Sequence, residues 1–238
     1  MQRFYISDLN TTDFNFSIKD KDMIHQLIKV LRIRVWESVI FFDWSDNYDY
    51  VFRVKNILDK SIEFEQIDRK ENNSEIDFEL NLYQAIPNKI EKIEYIVQKW
   101  VEIWVKNFVF FKSERSQKLV LSDNKIERFQ KIAIEAVEQS GRLHIPEIAF
   151  LEKYDFSPLI KNQNIIFHTI WESSKSLKKM DFDYKNTINL FIWPEWGFSD
   201  EELKKFENMF FYKVHLWNRI LRTETAGVSS AFYIIQNK

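Results

Sequence analysis

Polar side chains that could bind a ligand are concentrated in one short segment near the end of the chain. Residues 219–225 contain two arginines, two threonines and a glutamate, and they follow the expected strand 212–216. Ligands of open parallel sheets bind beyond the carboxyl ends of the strands, where helices begin and backbone N–H groups are free. The segment has two equally weighted interpretations. It is a ligand site, or it is only the start of a helix, with Thr223 or Thr225 as the N-cap and Glu224 near the positive end of the helix dipole.

A second segment, 193–197, reads Trp-Pro-Glu-Trp-Gly and occupies the same kind of position after the apolar run 188–192. The chain has no cysteine, which excludes disulfides, zinc–thiolate sites and thiol nucleophiles. Any chemistry then belongs to oxygen and nitrogen groups or to a bound cofactor. We expect no metal site, because no metal-ligand spacing connects the histidines His25, His144, His168 and His215.

The composition is that of a soluble globular protein: 238 residues, 45% hydrophobic and 29% charged. This length fits a small domain joined to one of about 150 residues. No apolar run reaches the roughly 18 residues of a membrane span and no signal-peptide core follows Met1, so we expect a cytoplasmic protein without membrane contact. A net charge of −2 is not the basic excess typical of nucleic-acid-binding proteins. The basic segment 29–34 is interpreted as a solvated face in preference to a local RNA-binding patch.

The elements that would position these segments change character along the chain. Short β-type runs at 39–42, 48–54 and 61–67 predict a small barrel or sandwich, and the polar stretch 68–75 predicts a domain boundary. Beyond it, strands alternate with longer helices, which predicts a mostly parallel α/β sheet covered on both faces. The expected strands are 80–85, 105–111, 165–170, 188–192 and 212–216, and the expected helices are 89–104, 123–140, 200–209 and 225–235, with Gly141 as a helix stop.

Glycine is scarce and tryptophan is abundant, with three glycines against eight tryptophans. The tryptophans lie where the local sequence favours glycine. Trp44 lies within a polar turn, Trp193 and Trp196 flank Pro-Glu after a strand, and Trp217 follows another strand. Turns of this kind need residues that tolerate a positive φ, which glycine does at no steric cost.

At these residues the chain resembles the RsmE-type 16S ribosomal RNA uridine N3-methyltransferases of the SPOUT superfamily. Residues 193–197 and 216–226 are similar to the family signatures Gly-Pro-Glu-Gly-Gly and Leu-Gly-x-Arg-Ile-Leu-Arg-Thr-Glu-Thr-Ala. Further matches, in the same order as in the family, are residues 1–5, 30–32, 96–105, 113–116, 135–142 and 145–148. A nucleotide-dependent transferase is disfavoured, because neither Gly-x-Gly-x-x-Gly nor a Gly-Lys-Ser/Thr phosphate loop is present.

The resemblance implies a PUA-like β-barrel RNA-binding domain at 1–70 and a SPOUT α/β methyltransferase domain at 76–238, whose C-terminal segment is threaded into a trefoil knot. It also implies S-adenosyl-L-methionine as cofactor, a homodimer, and methylation of a uridine N3 in 16S rRNA of the small ribosomal subunit. The N3 nitrogen must lose its proton before it attacks the methyl group, which calls for a base or for a cation that stabilises the uracil anion. By the resemblance, Arg222 would be that cation, and Glu195 or Glu224 the base or the group that orients Arg222.

The remaining site residues are also carried over from the resemblance. Phosphate contacts are expected from Arg3, Arg32, Arg34, Arg115 and Arg142. The cofactor pocket is expected to be lined by Ile170, Ile192, Trp193, Pro194, Glu195, Trp196, Gly197, His215, Leu216, Trp217, Ile220, Leu221, Arg222, Thr223, Thr225 and Ala226.

The departures from the family pattern concern the tryptophans. Six of them fall where the family has glycine, namely Trp36, Trp44, Trp104, Trp193, Trp196 and Trp217, and Trp100 and Trp171 fall where it would accept one. One hypothesis is that the gene comes from a lineage that reads UGA as glycine, with UGA translated here as tryptophan. The alternative is genuine drift to tryptophan. An indole at 193, 196 or 217 adds a large side chain where the cofactor would lie, so a non-catalytic RNA-binding protein with a blocked pocket is the rival function.

Overall fold

The computed structural model describes residues 1–7, 9, 15–117, 119–168, 174–216 and 219–238. These residues form two compact units. Unit 1 comprises residues 1–75 together with 141–143, and unit 2 comprises residues 76–140 and 144–238. Three residues that follow a helix of unit 2 therefore belong to unit 1.

Unit 1 is built on a mixed five-stranded sheet with the order β1-β3-β4-β5-β2, curled into a half-barrel. Strands β1 and β3 are parallel and the other neighbours are antiparallel. Two register shifts in β4 interrupt its pairing with β5, and such bulges bend a strand. The elements are β1 (Arg3–Tyr5), β2 (Asn15–Ile18), α1 (Lys21–His25) with a following π-helical turn (Gln26–Val30), β3 (Ser38–Phe42), β4 (Tyr48–Leu58) and β5 (Ser61–Glu71).

Aromatic rings fill the core of unit 1. Phe41 lies 5.4 Å from Phe52 and 5.0 Å from Phe64, measured between ring centroids, and all three side chains are buried. Alternate residues of each strand point into this core, which is the period that the β-type runs predict. Strand β5 extends to Glu71, four residues beyond the expected strand end at 67, because it pairs with β4 along that length.

Unit 2 is an α/β structure with a seven-stranded sheet of order β10-β12-β9-β11-β6-β7-β8. Each neighbouring pair is parallel, so the predicted parallel α/β architecture is confirmed. The elements are β6 (Leu80–Ala85), α2 (Ile90–Glu102), β7 (Asn107–Phe111), α3 (Asp123–Ser140), β8 (Glu147–Leu151), β9 (Gln163–Phe167), β10 (Lys175–Ser176), β11 (Ile188–Ile192), α4 (Asp200–Asn208), β12 (Tyr212–His215) and α5 (Thr223–Gln236), with 3-10 turns at Ser157–Leu159 and Leu177–Lys179.

Strands β6 and β11 lie side by side in the interior of the sheet and are buried along their whole length. Both are short, mainly apolar runs, interrupted only by Asn81, Gln84 and Asn189, and both were predicted with their observed limits. Strand β8 was missed, because it is only half-buried at the sheet edge and begins with the exposed Glu147. Helix α5 begins at Thr223 instead of 225, with Arg222 as its N-cap.

Candidate active site

The carboxyl ends of β6, β11 and their neighbours face one edge of the sheet, and the two segments singled out by the sequence meet there. A cavity of about 500 Å³ opens at this edge. That volume is within the range of small-molecule sites, about 300 to 1,000 Å³. It is lined by Lys92, Trp193, Glu195, Trp196, Gly197, Ile220, Leu221, Arg222, Thr223 and Glu224.

A buried hydrogen-bond network joins the two segments beneath the cavity. The Thr223 hydroxyl donates to the carbonyl of Trp193, and Gln84 Nε2 donates to Thr223 Oγ1 at 3.0 Å. Thr223 and Gln84 are 2% and 0% exposed. The start of α5 is thus tied to the end of β11 through a hydroxyl that the capping interpretation had assigned to the helix itself. No side chain caps α5 among the described residues.

Glu195 has its carboxylate fastened to helix α2. Its Oε1 atom accepts a hydrogen bond from Lys92 Nζ at 2.6 Å and one from the Asn88 backbone N–H at 3.0 Å. Burial acts to raise the pKa of Glu195, but these hydrogen bonds and the Lys92 charge outweigh it, so the pKa lies below its ordinary value. Glu195 is therefore ionised at neutral pH, and its engaged carboxylate is a poor proton acceptor.

In contrast to Glu195, neither Glu224 nor Arg222 has its charge paired with a described residue. Glu224 lines the cavity, and its Oε2 atom is buried without a hydrogen-bond donor in the described part of the chain. An unpartnered buried oxygen is costly, by roughly 1 to 3 kcal/mol, and such a group is satisfied when a ligand donates to it. Arg222 is exposed at the same cavity and makes no ion pair with a described residue, so its guanidinium is available to an anion.

A second, smaller cavity of about 150 Å³ shares Trp193, Trp196 and Gly197 with the first. It lies between these residues, the end of β9 and the start of α4, and His168 also lines it. Burial and the nearby Lys213 charge lower the pKa of His168, so this imidazole is neutral at pH 7. Trp193 is 7% exposed and Trp196 is 69% exposed. The two tryptophans therefore contribute walls to both cavities.

Eight of the sixteen expected cofactor-binding residues line this cavity, and the other described ones do not. Ile192 and Ala226 are buried, and Thr225 is exposed. His215 and Leu216 are half-buried, and His215 Nδ1 is 2.9 Å from Ser174 Oγ. Pro194 accepts the Gly197 N–H at 2.9 Å and so closes the turn. Ile170 and Trp217 lie outside the described residues.

The five arginines expected to contact RNA divide into two groups. Arg32, Arg34 and Arg115 are exposed, and Arg115 Nη1 donates to the Trp196 carbonyl at 3.1 Å. Arg3 and Arg142, in unit 1, are 8% and 1% exposed. Their charges are paired, Arg3 with Asp49 at 2.8 Å and Arg142 with Glu75 at 2.9 Å. Burial favours a structural role for these two residues, and contact with RNA stays a prediction for all five.

Sequence reasoning missed Lys92 and Gln84. Lys92 stands in the first turn of α2, where a cation is unfavourable beside the positive end of the helix dipole. That position was a signal that a carboxylate lies nearby. Gln84 is a polar residue in an apolar strand, and its buried Oε1 also has no partner among the residues described.

Two general features of the described residues bear on function. No helix in these ranges has the length and apolar character needed to cross a membrane. Within the same ranges, no three histidine or acidic side chains are grouped so that they could hold a metal ion.

Comparison with known proteins agrees with this architecture. The model of the RNA methyltransferase domain family matches residues 74–235. Ribosomal RNA small subunit methyltransferase E of Buchnera aphidicola is 34% identical over 234 residues, covering 95% of this chain and 89% of the relative. The enzyme of the same name from Mesomycoplasma hyopneumoniae is 30% identical over 231 residues, covering 96% of each chain.

Solved structures show the same fold. Ribosomal RNA small subunit methyltransferase E of Neisseria gonorrhoeae, crystallised with S-adenosyl methionine, has a TM-score of 0.86 at 24% identity and covers 100% of this chain and 98% of its own. A Legionella pneumophila methyltransferase in complex with the same cofactor has a TM-score of 0.85 at 25% identity, with 99% and 97% covered. Fold and matched region define an RNA methyltransferase. More particularly, the chain belongs to the ribosomal RNA small subunit methyltransferase E family.

Proposed function

We propose that this protein transfers the methyl group of S-adenosylmethionine to N3 of a uridine in 16S rRNA of the small ribosomal subunit. Membership of the family supports the reaction type, and the cavity at the carboxyl edge of the sheet supports its place. The observation that carries the proposal is the buried, unpartnered Oε2 of Glu224 beside the exposed Arg222 in one cavity of about 500 Å³. Deprotonation of an imide nitrogen calls for a proton acceptor or for a cation that stabilises the anion, and this cavity offers both.

The polar groups at the cavity fit S-adenosylmethionine. Its carboxylate could accept hydrogen bonds from the first backbone N–H groups of α5, which no side chain of a described residue caps. Glu224 and Arg222 then stay available to the uracil ring. The backbone at Gly197, with φ of 72°, lets the chain approach a ligand closely. When bound, the cofactor supplies a methyl group on a positively charged sulfur.

In this proposal Glu224 takes the proton from N3 and Arg222 stabilises the negative charge that develops on the uracil ring. Glu195 is set aside as the base, because its carboxylate is already held by Lys92 and Asn88. The chain's main contribution is to hold the two substrates in line, and effective molarities in well-oriented reactions are large. The target base must leave its stack to reach the edge of the sheet.

Complementation of a host that lacks the small-subunit uridine methyltransferase tests the proposal. The gene should restore N3-methyluridine in 16S rRNA, measured by mass spectrometry of the RNA. The E224Q variant should lose most of this signal, while E195Q, the matched change at the neighbouring glutamate, should retain more. Absence of N3-methyluridine from both the chain as it stands and its W193G/W196G/W217G variant would contradict the reaction.

The rival function, an RNA-binding protein without catalysis, is favoured by one observation. Trp193 and Trp196 stand between the cavities of about 500 and 150 Å³, and the smaller one is below the range of ligand sites. Calorimetry with S-adenosylmethionine separates the two functions. Binding by the glycine variant but not by the unchanged chain would identify a methyltransferase whose pocket the indoles block.

We further propose that the working protein has glycine at its tryptophan positions. Of the six tryptophans that the structure describes, Trp36 and Trp104 adopt φ of 76° and 66°. Only a few per cent of non-glycine residues have a positive φ. Intact mass of the protein from its native source is the test. A mass lower by eight tryptophan-to-glycine differences supports glycine, and the mass of the sequence as it stands refutes it.

The finer properties implied by the resemblance remain proposals. They are the trefoil knot in residues 76–238, the homodimer, the PUA-like RNA-binding role of residues 1–70 and the cytoplasmic location. Size-exclusion chromatography with light scattering tests the dimer directly, and a monomer at micromolar concentration would contradict it.

A further inference from the structure

Side chains from three separate parts of unit 2 fasten the turn 193–197 that forms one wall of the cavity. Each of them binds a different residue of the turn. Thr223 donates to the Trp193 carbonyl, Lys92 binds the Glu195 carboxylate, and Arg115 donates to the Trp196 carbonyl. We propose that Lys92 is a positioning residue of the methyl-transfer site, which acts through Glu195 to fix the turn against helix α2. This inference rests on the proposed function for its link to the cofactor.

The first argument that the Lys92–Glu195 pair fixes the turn 193–197 comes from the start of helix α2. Its N-cap, Lys89, makes no capping hydrogen bond through its side chain to a described residue, and the backbone donor that Glu195 binds belongs to the residue just before this cap. Glu195 reaches across from the turn and accepts the N–H of Asn88 at 3.0 Å. A carboxylate at this end of a helix is also favoured by the helix dipole. Glu195 therefore serves the start of α2 and the turn at once.

The position of Lys92 gives the second reason. It is the third residue of α2, where its charge opposes the helix dipole, and it gains only if an anion is close. The Nζ–Oε1 distance of 2.6 Å supplies that anion, and the two side chains are only 23% and 20% exposed. The pair is thus less open to solvent than the Lys99–Glu102 pair near the other end of the same helix, with 34% and 29% exposed.

The third reason is that Glu195 lies at the centre of a tight turn. Gly197 has φ of 72°, and its N–H donates to the Pro194 carbonyl at 2.9 Å. With Thr223 and Arg115 still in place, loss of Lys92 should shift and loosen this turn without unfolding it. Affinity for the cofactor should fall by about fivefold, the size expected of one partly buried ion pair. The turnover number should change less, because Lys92 does not touch the reacting atoms in this proposal.

The experiment compares Lys92→Met with Lys99→Met, which removes a similar ion pair from the same helix at a distance from the turn. Both changes are made in the full chain and in its W193G/W196G/W217G variant. Hydrogen exchange followed by mass spectrometry reads the amides of 193–199 without any ligand. Calorimetry and steady-state kinetics give the affinity and the KM for S-adenosylmethionine and the kcat separately.

We expect faster exchange in 193–199 and a roughly fivefold higher KM for S-adenosylmethionine in Lys92→Met only, with partial rescue by Lys92→Arg. Lys92→Met and Glu195→Gln should not add in the double variant, because they remove the same contact. Equal exchange and equal KM in the Lys92 and Lys99 variants would overturn the role. If exchange rises only in Lys92→Met while no chain binds the cofactor, Lys92 fixes the turn but the proposed function fails.

Discussion

Helices α2 and α3 end with the same backbone conformation but with different residues. Trp104, just beyond α2, has φ of 66°, and Gly141, just beyond α3, has φ of 81°. At α2 the Trp104 N–H donates to Val101 O and the Val105 N–H to Trp100 O, each at 3.1 Å, which is the Schellman pattern. The helix ending imposes the left-handed residue. Glycine takes this conformation freely, whereas other residues are strained by roughly 1 to 2 kcal/mol.

The end of α4 shows that strain alone does not identify a glycine position. Phe210 has φ of 61°, its N–H donates to Glu207 O, and Phe211 closes the same pattern with Phe206 O. Phe210 is 86% exposed, so its side chain meets no resistance apart from the backbone. At Trp104, by contrast, the indole Nε1 is buried and has no acceptor among the described residues. Trp104 therefore combines backbone strain with an unsatisfied donor.

The turn 193–197 differs from the helix ends, because backbone strain is not what makes tryptophan unfavourable there. In this region it is the bulk of tryptophan that matters, because Trp193 and Trp196 line both cavities, and neither has a positive φ. Tryptophan at the helix end should therefore affect stability, and tryptophan in the turn should affect binding. Glycine variants at the two kinds of position test this division.

The largest effect is expected from W193G/W196G/W217G. Removal of the indoles should raise the affinity for S-adenosylmethionine by at least about 30-fold, since forcing a ligand against extra side chains costs about 2 kcal/mol. Isothermal titration calorimetry measures the change. W44G is the control, because Trp44 lies in unit 1 and lines neither cavity. Equal affinities of the triple variant and the unchanged chain would end the blocked-pocket hypothesis.

The next largest effect is expected on stability at the end of α3, where Gly141 already occupies the left-handed position. G141A should lower the free energy of unfolding by about 1 to 2 kcal/mol through the backbone alone, because a Cβ at this position meets no atom within 4 Å. G141N should lose less, since asparagine tolerates the left-handed region. Urea unfolding followed by circular dichroism gives both values. If G141A and G141N were as stable as the parent, the strain argument for Trp104 would lose its basis.

Local residue types predict some features of the molecule and leave others open. Gly141 as a helix stop and the buried strands β6 and β11 follow from such types, since glycine after an amphipathic run favours a helix end and a short, mainly apolar run favours a buried strand. The Lys92–Glu195 contact joins residues 103 positions apart, and no local pattern encodes it. The orphaned Oε2 of Glu224 depends on what surrounds it in space. Motif resemblance found the two segments, and only geometry separates the roles of their two glutamates.

W36G should stabilise the protein by about 1 kcal/mol. Trp36 has φ of 76° and is 70% exposed, so the change relieves backbone strain and removes little buried surface. W104G should gain less, because part of its indole is buried and some packing is lost. W44G, whose φ is not positive, should not stabilise. A W36G protein less stable than its parent in urea titrations would mean that Trp36 makes contacts that outweigh the strain.

The smallest expected effect is the dependence of stability on pH. It should distinguish the turn 193–197, which a charged group holds, from the positions where backbone strain acts. Burial works to raise the pKa of Glu195, but the hydrogen bonds from Lys92 and Asn88 outweigh it and leave the pKa lowered. A lowered pKa means stability that is present above the unfolded value, about 4.3, and is lost as the pH falls through the folded value. E195Q should thus be less stable than the parent by up to about 1 kcal/mol at neutral pH, and the gap should close in acid. The W36G effect should stay constant over the same range in thermal melts, because no proton is involved. A W36G effect that followed the pH like that of E195Q would show that charge, and not backbone strain, governs both regions.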